Sequence, residues 1–173
     1  MRLTISRHGR FTSRLLDEVE AGCTLWCKGP YGEFEIHAGN PEAPVVLVAG
    51  GTGVTPFCSF MEEAIIHPQI VAAPVRLYYG ARTADLLLYA RLVQRCTTQL
   101  PQFGAWLFAE EGALPVGVAR GRLDIQRIAD AVDEDLGTRF SLSGPPAMIA
   151  TFAEYLREVR CVPSERVLVD EWE

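Results

Sequence analysis

The chain has 173 residues, of which 49% are hydrophobic, and this is enough to bury one sizeable core. It carries 22 acidic against 16 basic residues, a net charge of -6, so no basic stripe is available to neutralise nucleic-acid phosphates. No apolar run approaches the length that spans a membrane. The composition predicts an acidic α/β protein that does not bind nucleic acid or insert directly into a membrane.

Residues 1–43 differ in pattern from the rest of the chain. They predict a short helix near residues 12–19, a strand over residues 24–27 and a turn at Gly29-Pro30-Tyr31-Gly32. Segments of about 40 residues seldom hold a core of their own. This segment is therefore predicted to be the end of another fold.

Cysteine usage points to a reducing compartment. The five cysteines are scattered and odd in number, and no signal-like segment is evident, which favours free thiols and a cytoplasmic location. Cys23 and Cys27 have the spacing of half a metal site, but no second pair or histidine cluster completes it. No bound metal is expected.

From residue 44 onward, apolar strands alternate with amphipathic helices, as in a parallel sheet with crossover helices. Thr55 is placed to cap the first of these helices, with Pro56 at its first position. Strands are predicted over residues 45–49, 75–79, 105–109, 139–143 and 167–169, and helices around residues 57–65, 86–96, 125–132 and 148–159. The pattern predicts an open, doubly wound, parallel five-stranded sheet over residues 44–173.

Glycine or polar residues follow every predicted strand. Open parallel sheets bind ligands outside the carboxyl ends of their strands, so these segments are the candidate site. In chain order they are Gly50-Gly51-Thr52-Gly53-Val54-Thr55-Pro56, Gly80-Ala81-Arg82-Thr83, Glu110-Glu111-Gly112, Gly144-Pro145-Pro146-Ala147-Met148 and Asp170-Glu171-Trp172-Glu173.

The bend after the first strand is suited to a pyrophosphate, because glycines let the backbone approach it and the helix N-terminus favours negative charge. The third glycine of G-x-G-x-x-G is missing, and no lysine follows as a P-loop requires. A tight turn without a ligand is the alternative. The second glycine bend, Ser143-Gly144-Pro145-Pro146, favours a dinucleotide at this edge.

Together these motifs resemble the pyridine-nucleotide domain of the ferredoxin–NADP reductase superfamily, which includes flavin reductases and oxygenase reductases. The residues that carry the resemblance are Gly29-Pro30-Tyr31-Gly32-Glu33-Phe34, Ala49 to Pro56, Tyr79-Gly80-Ala81-Arg82, Gly121-Arg122, Ser143 to Met148 and Trp172. Their order covers almost the whole chain.

The resemblance implies sites for NAD(P)H. The first bend would contact the pyrophosphate and the nicotinamide side, through Gly50, Gly51, Thr52, Gly53, Thr55 and Pro56. The loop after Tyr79, with Arg82 and Asp85, would meet the adenosine ribose. The second bend would close over the pyrophosphate and nicotinamide, through Gly144, Pro145, Pro146 and Met148.

Residues 1–43 resemble the end of a flavin-binding barrel. In that comparison Gly9, Phe11 and Thr12 belong to the stretch that holds the FAD pyrophosphate. The Arg-x-Tyr/Phe-Ser/Thr motif that grips the isoalloxazine has no counterpart, so stable FAD binding by this chain alone is not expected. Either the sequence is a fragment of a longer reductase, or the rest of the barrel belongs to another polypeptide.

Residues near the reacting nicotinamide are also implied by the resemblance. Ser143 stands where many family members carry a cysteine, and Asp170 or Glu171 would complete a polar set. Trp172 resembles the aromatic residue that covers the flavin. The alternatives are an ordinary serine at a strand end, acids that solvate the terminus, and a tryptophan that only packs.

The choice of nucleotide is open between two residues. Arg82 could pair with a 2′-phosphate of NADPH, whereas Asp85 could accept from a free 2′-hydroxyl of NADH. Residues 83–89 contain no second basic residue to share a phosphate, which slightly favours NADH.

The predicted function is an oxidoreductase module that binds NAD(P)H and passes a hydride to FAD. The flavin then supplies electrons to an iron–sulfur, haem or metal acceptor. The expected partners are a flavin domain or a flavin-carrying subunit, and an acceptor that the sequence does not identify. The alternative is a nucleotide-binding domain or subunit without catalysis of its own.

Overall fold

The computed structural model of the chain describes residues 4–5, 7, 9–29, 34–36, 42–132 and 136–170. The chain divides into two compact units, Met1–Glu33 and Phe34–Glu173. The assignment of residues 1–43 to the end of a flavin-binding barrel stays a prediction.

The described part of the first unit contains one helix, α1 (Gly9–Glu18), which overlaps the helix predicted near residues 12–19. The predicted strand over residues 24–27 is wrong, because residues 23–29 have no regular secondary structure and Trp26 is almost fully exposed. A strand forms only beside a partner strand, and the described residues of this unit contain none.

The second unit is built on a six-stranded sheet whose strands are all parallel. The spatial order is β4-β3-β2-β1-β5-β6. The strands are β1 (Val45–Gly50), β2 (Val75–Thr83), β3 (Phe103–Glu111), β4 (Val118–Arg120), β5 (Arg139–Ser143) and β6 (Val167–Asp170). The predicted parallel sheet is confirmed, but the count of five is wrong, because the three residues of β4 are too few to show a period.

The helices join successive strands and cover both faces of the sheet. They are α2 (Thr55–Ile66), α3 (Ala90–Gln99), α4 (Ile125–Asp130) and α5 (Pro146–Glu154), the last of which continues into a π-helical turn, Tyr155–Val159. The helices α2 and α3 pack with Leu47 and Leu77 on one face. The helices α4 and α5 pack with Val48 and Leu142 on the other, so the doubly wound architecture is confirmed.

Two strands run further than the sequence pattern predicts. Gly80-Ala81-Arg82-Thr83 and Glu110-Glu111 are the last residues of β2 and β3, not loops. Ala81 pairs with Ala109 and Thr83 with Glu111. The backbone groups of each strand are therefore satisfied by the other strand, and this pairing extends both strands through residues with polar side chains. The helix α3 consequently begins at Ala90, after a 3₁₀ turn at Ala84–Leu86, and not near residue 86 as predicted.

The entry into α2 differs from the predicted cap. A 3₁₀ turn, Gly51–Val54, leads directly into the helix, and Thr55 is itself helical, with φ -62° and ψ -39°. Its hydroxyl donates to the carbonyl oxygen of Thr52 at 2.9 Å and caps no helical N–H. The prediction that Thr55 caps α2 is therefore wrong, although Pro56 does lie in the first turn.

Candidate functional site

A cleft of about 580 Å³ lies at the carboxyl edge of the sheet, next to the ends of β1 and β2. The strand order reverses beside β1, which has β2 on one side and β5 on the other. Open α/β sheets bind ligands at such a reversal. The lining residues are Gly50, Gly51, Gly80, Ala81, Arg82, Leu86, Glu110, Gly121, Arg122, Leu123, Pro145, Ala147, Met148, Thr151 and Phe152.

The two glycine bends meet back to back beneath this cleft. A Cβ atom built on Gly53 would overlap the carbonyl group of Ser143 and lie 2.6 Å from the Cα of Gly144. A Cβ on Gly144 would lie 3.0 Å from the Cα of Gly50, and one on Gly50 would lie 2.7 Å from Cδ of Pro145. Packing between the bends thus requires glycine at all three positions.

Gly51 and Gly121 are glycines for a different reason. Gly51 has φ +56° and Gly121 has φ +136°, and a Cβ on either would meet no atom within 4 Å. Both residues line the cleft. Their backbones are therefore open to a ligand, and Gly51 leads into the 3₁₀ turn and α2, where helical N–H groups favour an anion.

Residues of α5 form the apolar wall of the cleft. Pro145 precedes the helix and Pro146 lies in its first turn, so the helix begins directly after the second glycine bend. The Met148 N–H donates to the carbonyl oxygen of Pro145 at 2.9 Å, and its side chain reaches the place where a Cβ of Gly50 or Gly144 would lie. Phe152 extends this wall.

Charged side chains surround the opposite side. The Arg122 Nε lies 2.6 Å from a Glu110 carboxylate oxygen, and the Arg82 Nε lies 3.4 Å from a carboxylate oxygen of Glu111. The arginine side chains are 82% and 73% exposed, respectively. Residues 83–89 contain no second basic residue, which slightly favours NADH in the sequence. Arg122 supplies one from the segment after β4.

The predicted polar pair is brought together. Ser143 and Asp170 are partners across β5 and β6, and the Ser143 hydroxyl donates to Oδ2 of Asp170 at 2.9 Å. Ser143 is 0% exposed, and neither residue lines the cleft. The other two residues predicted near the nicotinamide, Glu171 and Trp172, lie outside the described residues.

The remaining predicted residues fall into three groups. Those that line the cleft are Gly50, Gly51, Arg82, Pro145 and Met148. Those of the second unit that do not are Thr52, Gly53, Thr55, Pro56, Asp85, Gly144 and Pro146, which build the bends and the turn around it. Gly9, Phe11 and Thr12 lie in α1 of the first unit, and Phe11 is exposed.

Sequence reasoning did not single out several lining residues, above all Glu110 and Leu86. Glu110 was noticed only as part of a strand end, and the short strand β4 gave no signal that Gly121 and Arg122 follow a strand. Leu123, Thr151 and Phe152 are ordinary core or helix residues by pattern. Gly121-Arg122 carries part of the resemblance, but only its position directly after a very short strand could have marked Arg122 as a cleft residue.

The described residues contain neither a membrane-spanning helix nor a cluster of metal-binding side chains. No helix in that part of the chain is long and apolar enough to cross a membrane. No group of three or more His, Cys, Asp and Glu residues within it could hold a metal ion. The five cysteines, all within the described part of the chain, form no disulfide, and Cys23 and Cys27 are exposed.

Residues 47–154, more than half of the chain, match the model of the oxidoreductase NAD-binding domain family. The reductase component of propane 2-monooxygenase from Mycolicibacterium goodii is 31% identical over 169 residues, 94% of this chain and 47% of that protein. The ferredoxin–NAD(P)(+) reductase component of the naphthalene 1,2-dioxygenase system of Pseudomonas putida is 26% identical over 166 residues, 94% of this chain and 48% of that protein.

The chain thus spans about half the length of the curated relatives it matches. Among solved structures, flavohemoglobin from Malassezia yamatoensis has a TM-score of 0.78 at 22% identity. That match covers 97% of this chain and 42% of the flavohemoglobin. At this identity the likeness shows the fold. The chain belongs to the oxidoreductase NAD-binding domain family.

Proposed function

We propose that this chain is the NAD(P)H-binding half of an FAD-dependent oxidoreductase. The observation that carries the proposal is the meeting of two glycine bends, from β1 and β5, under a single cleft at the reversal of strand order. Open backbone at Gly51 suits a pyrophosphate, which side chains would otherwise keep away. The cleft volume of about 580 Å³ suits a ligand of that size.

The cleft offers a different chemistry to each part of a dinucleotide. Gly51 and the start of α2 would hold the pyrophosphate. Pro145 and Met148 would cover the nicotinamide side with an apolar surface. Arg82 and Arg122 would meet the adenosine ribose. These contacts bind and orient the nucleotide, and they require no acid or base from the protein.

When bound, NAD(P)H supplies a hydride to oxidised FAD, which releases the two electrons singly to an iron–sulfur, haem or metal acceptor. The chain's own residues would set the position of the nicotinamide. We propose that the Ser143–Asp170 pair shapes that end of the site from beneath, because the Ser143 hydroxyl is buried and directed at Asp170. Glu171 and Trp172 are assigned to the same end by the resemblance alone.

The flavin is proposed to lie on a flavin domain or a flavin-carrying subunit. Gly9, Phe11 and Thr12 would contribute to its pyrophosphate site, as the resemblance implies. Both curated relatives described above are named as reductase components, and this supports an acceptor in a multicomponent electron-transfer system. The odd number and the scattered positions of the five cysteines support a reducing, cytoplasmic setting.

The alternative is a nucleotide-binding domain or subunit without catalysis of its own. One observation favours it: the described residues before Phe34 contain a single helix and no strand that could form part of a flavin-binding barrel. In that case this chain would bind NAD(P)H, and electron transfer would need a partner that carries the flavin.

We further propose that the site prefers NADH. Each cleft-lining arginine already has a carboxylate partner, Glu110 for Arg122 and Glu111 for Arg82. The Glu110 side chain, 33% exposed, also lines the cleft. A carboxylate there can accept from a ribose 2′-hydroxyl and repels a 2′-phosphate.

The test is calorimetric titration of the purified chain with NADH, NADPH and FAD, after its visible spectrum has been recorded. Binding of NADH to a colourless protein supports a nucleotide-binding half that works without its own flavin. A yellow preparation shows that the chain retains flavin. Failure to bind either nicotinamide nucleotide overturns the proposal.

A matched pair of variants locates the site. Gly51→Val places a branched side chain in the cleft at a positive φ. Gly117→Val imposes comparable backbone strain at φ +87° in open space, away from the cleft. Loss of NADH binding in the first variant alone supports the site, whereas equal loss in both contradicts it.

A further inference from the structure

Tyr79 is a buried tyrosine of β2 whose hydroxyl forms two hydrogen bonds. It is 0% exposed and packs in the core between the sheet and the helices α2 and α3. Its hydroxyl accepts the N–H of Leu88 at 2.9 Å and donates to the carbonyl oxygen of Leu86 at 3.3 Å. Burial raises the pKa of this phenol, so the group stays protonated and able to donate.

Both partners belong to the connection between β2 and α3. That connection begins with the 3₁₀ turn Ala84–Leu86 and ends at Tyr89, which has a left-handed backbone with φ +59°. Leu87 is buried in the core, whereas Leu86 is 48% exposed and lines the cleft. A single hydroxyl thus ties both ends of a three-residue stretch, Leu86 to Leu88, to the middle of β2.

We infer that Tyr79 is a positioning residue for the nucleotide, holding Leu86 at the edge of the cleft beside Arg82. This inference rests on the proposed binding of NAD(P)H in that cleft. Tyr79 does not line the cleft and has no exposed surface, so it acts only through the connection that it holds. Its hydroxyl fixes the adenosine end of the site, since Arg82 is the residue assigned to the ribose.

Tyr79→Phe keeps the buried ring and removes only the hydroxyl. The expected result is an affinity for NADH about three- to tenfold weaker, the range that one hydrogen bond supports. ADP-ribose, which shares the adenosine end, should lose affinity by the same factor. Tyr78→Phe is the matched control, because Tyr78 precedes Tyr79 in β2 and packs in the opposite layer, stacked on Trp106.

A double-mutant cycle separates positioning from general weakening of the fold. Leu86→Ala removes the side chain that Tyr79 is inferred to place, so adding Tyr79→Phe to it should cause no further loss of affinity. Losses that multiply in the double variant overturn the inference, as does a Tyr79→Phe protein that binds NADH like the wild type.

Hydrogen exchange on the wild type keeps the inference testable if Tyr79→Phe fails to fold. Bound NADH should slow exchange of the Leu88 amide, and an unchanged rate with saturating NADH contradicts the inference. A wild-type protein that binds no nucleotide refutes the proposed function itself. Tyr79 then has no nucleotide to position, and the inference is overturned with it.

Discussion

The floor and the rim of the cleft differ in the interactions that form them. The floor is the pair of glycine bends that meet beneath the cleft at Gly50, Gly53 and Gly144, where the backbones touch and leave no room for a side chain. The rim consists of Arg82, Arg122, Glu110 and Glu111, whose side chains reach into solvent and form ion pairs. The floor therefore depends on packing and the rim on charge.

This difference predicts which property a substitution changes, the stability of the fold or the choice of ligand. Backbone atoms in a packed interior cannot move aside, so changes in the floor should appear first as lost stability. Exposed ion pairs add little to stability, so changes in the rim should appear as altered ligand choice. A floor substitution that changes only the choice of ligand, or a rim substitution that strongly lowers stability, would contradict this difference.

The largest effect is expected for Gly53→Ala. The new methyl group would overlap the Ser143 carbonyl group, which belongs to a central strand and cannot rotate away. The free energy of unfolding should fall by about 3 kcal/mol or more, measured by urea denaturation.

Gly104→Ala is the matched control, because the atoms nearest to its methyl group would belong to the ring of Trp106, a partly exposed side chain that can shift. Similar losses in the two variants would show that the floor is not specially constrained.

Ser143→Ala tests the support beneath the floor. The variant removes a hydrogen bond to the Asp170 carboxylate, and the free energy of unfolding should fall by about 1.5 kcal/mol. Affinity for NADH should fall by less than about twofold, because Ser143 is buried, does not line the cleft and supports the nicotinamide end only from beneath.

Ser59→Ala is the control for loss of a hydroxyl, since the Ser59 hydroxyl donates to the Pro56 carbonyl oxygen at the surface. A larger loss of NADH affinity in the Ser143 variant would mean that this hydroxyl reaches the nucleotide.

Glu110→Gln tests the rim. Removing the carboxylate leaves Arg122 without its ion-pair partner and lowers the repulsion of a 2′-phosphate. The affinity for NADPH should rise about fivefold relative to that for NADH, as expected for about 1 kcal/mol from one partly exposed charge. Glu165→Gln makes the same change of charge at an exposed position outside the cleft. An equal shift in that control would attribute the effect to net charge.

The sequence was sufficient for the features that local patterns encode. The alternation of apolar strands and helices predicted the parallel sheet, and it predicted the bounds of β5 without error. The glycines of both bends also marked the edge where the cleft lies. Each of these signals lies within a few neighbouring residues.

The features that the sequence missed depend on contacts between distant parts of the chain. Gly53 needs to be glycine because Ser143 lies against it, and Arg122 joins Glu110 only after β4 pairs with β3. Thr55 looked like a cap, but its place inside a continuous helical path sends its hydroxyl back to Thr52. Pairing and packing of this kind leave no periodic trace in the sequence.

The smallest effect is expected for Glu111→Ala. Glu111 contacts Arg82 at 3.4 Å, and both side chains are more than half exposed, so water and salt already screen the pair. The free energy of unfolding should change by less than about 0.5 kcal/mol, measured by urea denaturation at low and high salt. Arg82 would become free to meet a 2′-phosphate, so NADPH should gain affinity, but less than with Glu110→Gln because Glu111 does not line the cleft. A loss of stability as large as that of Gly53→Ala would show that the rim also carries the fold.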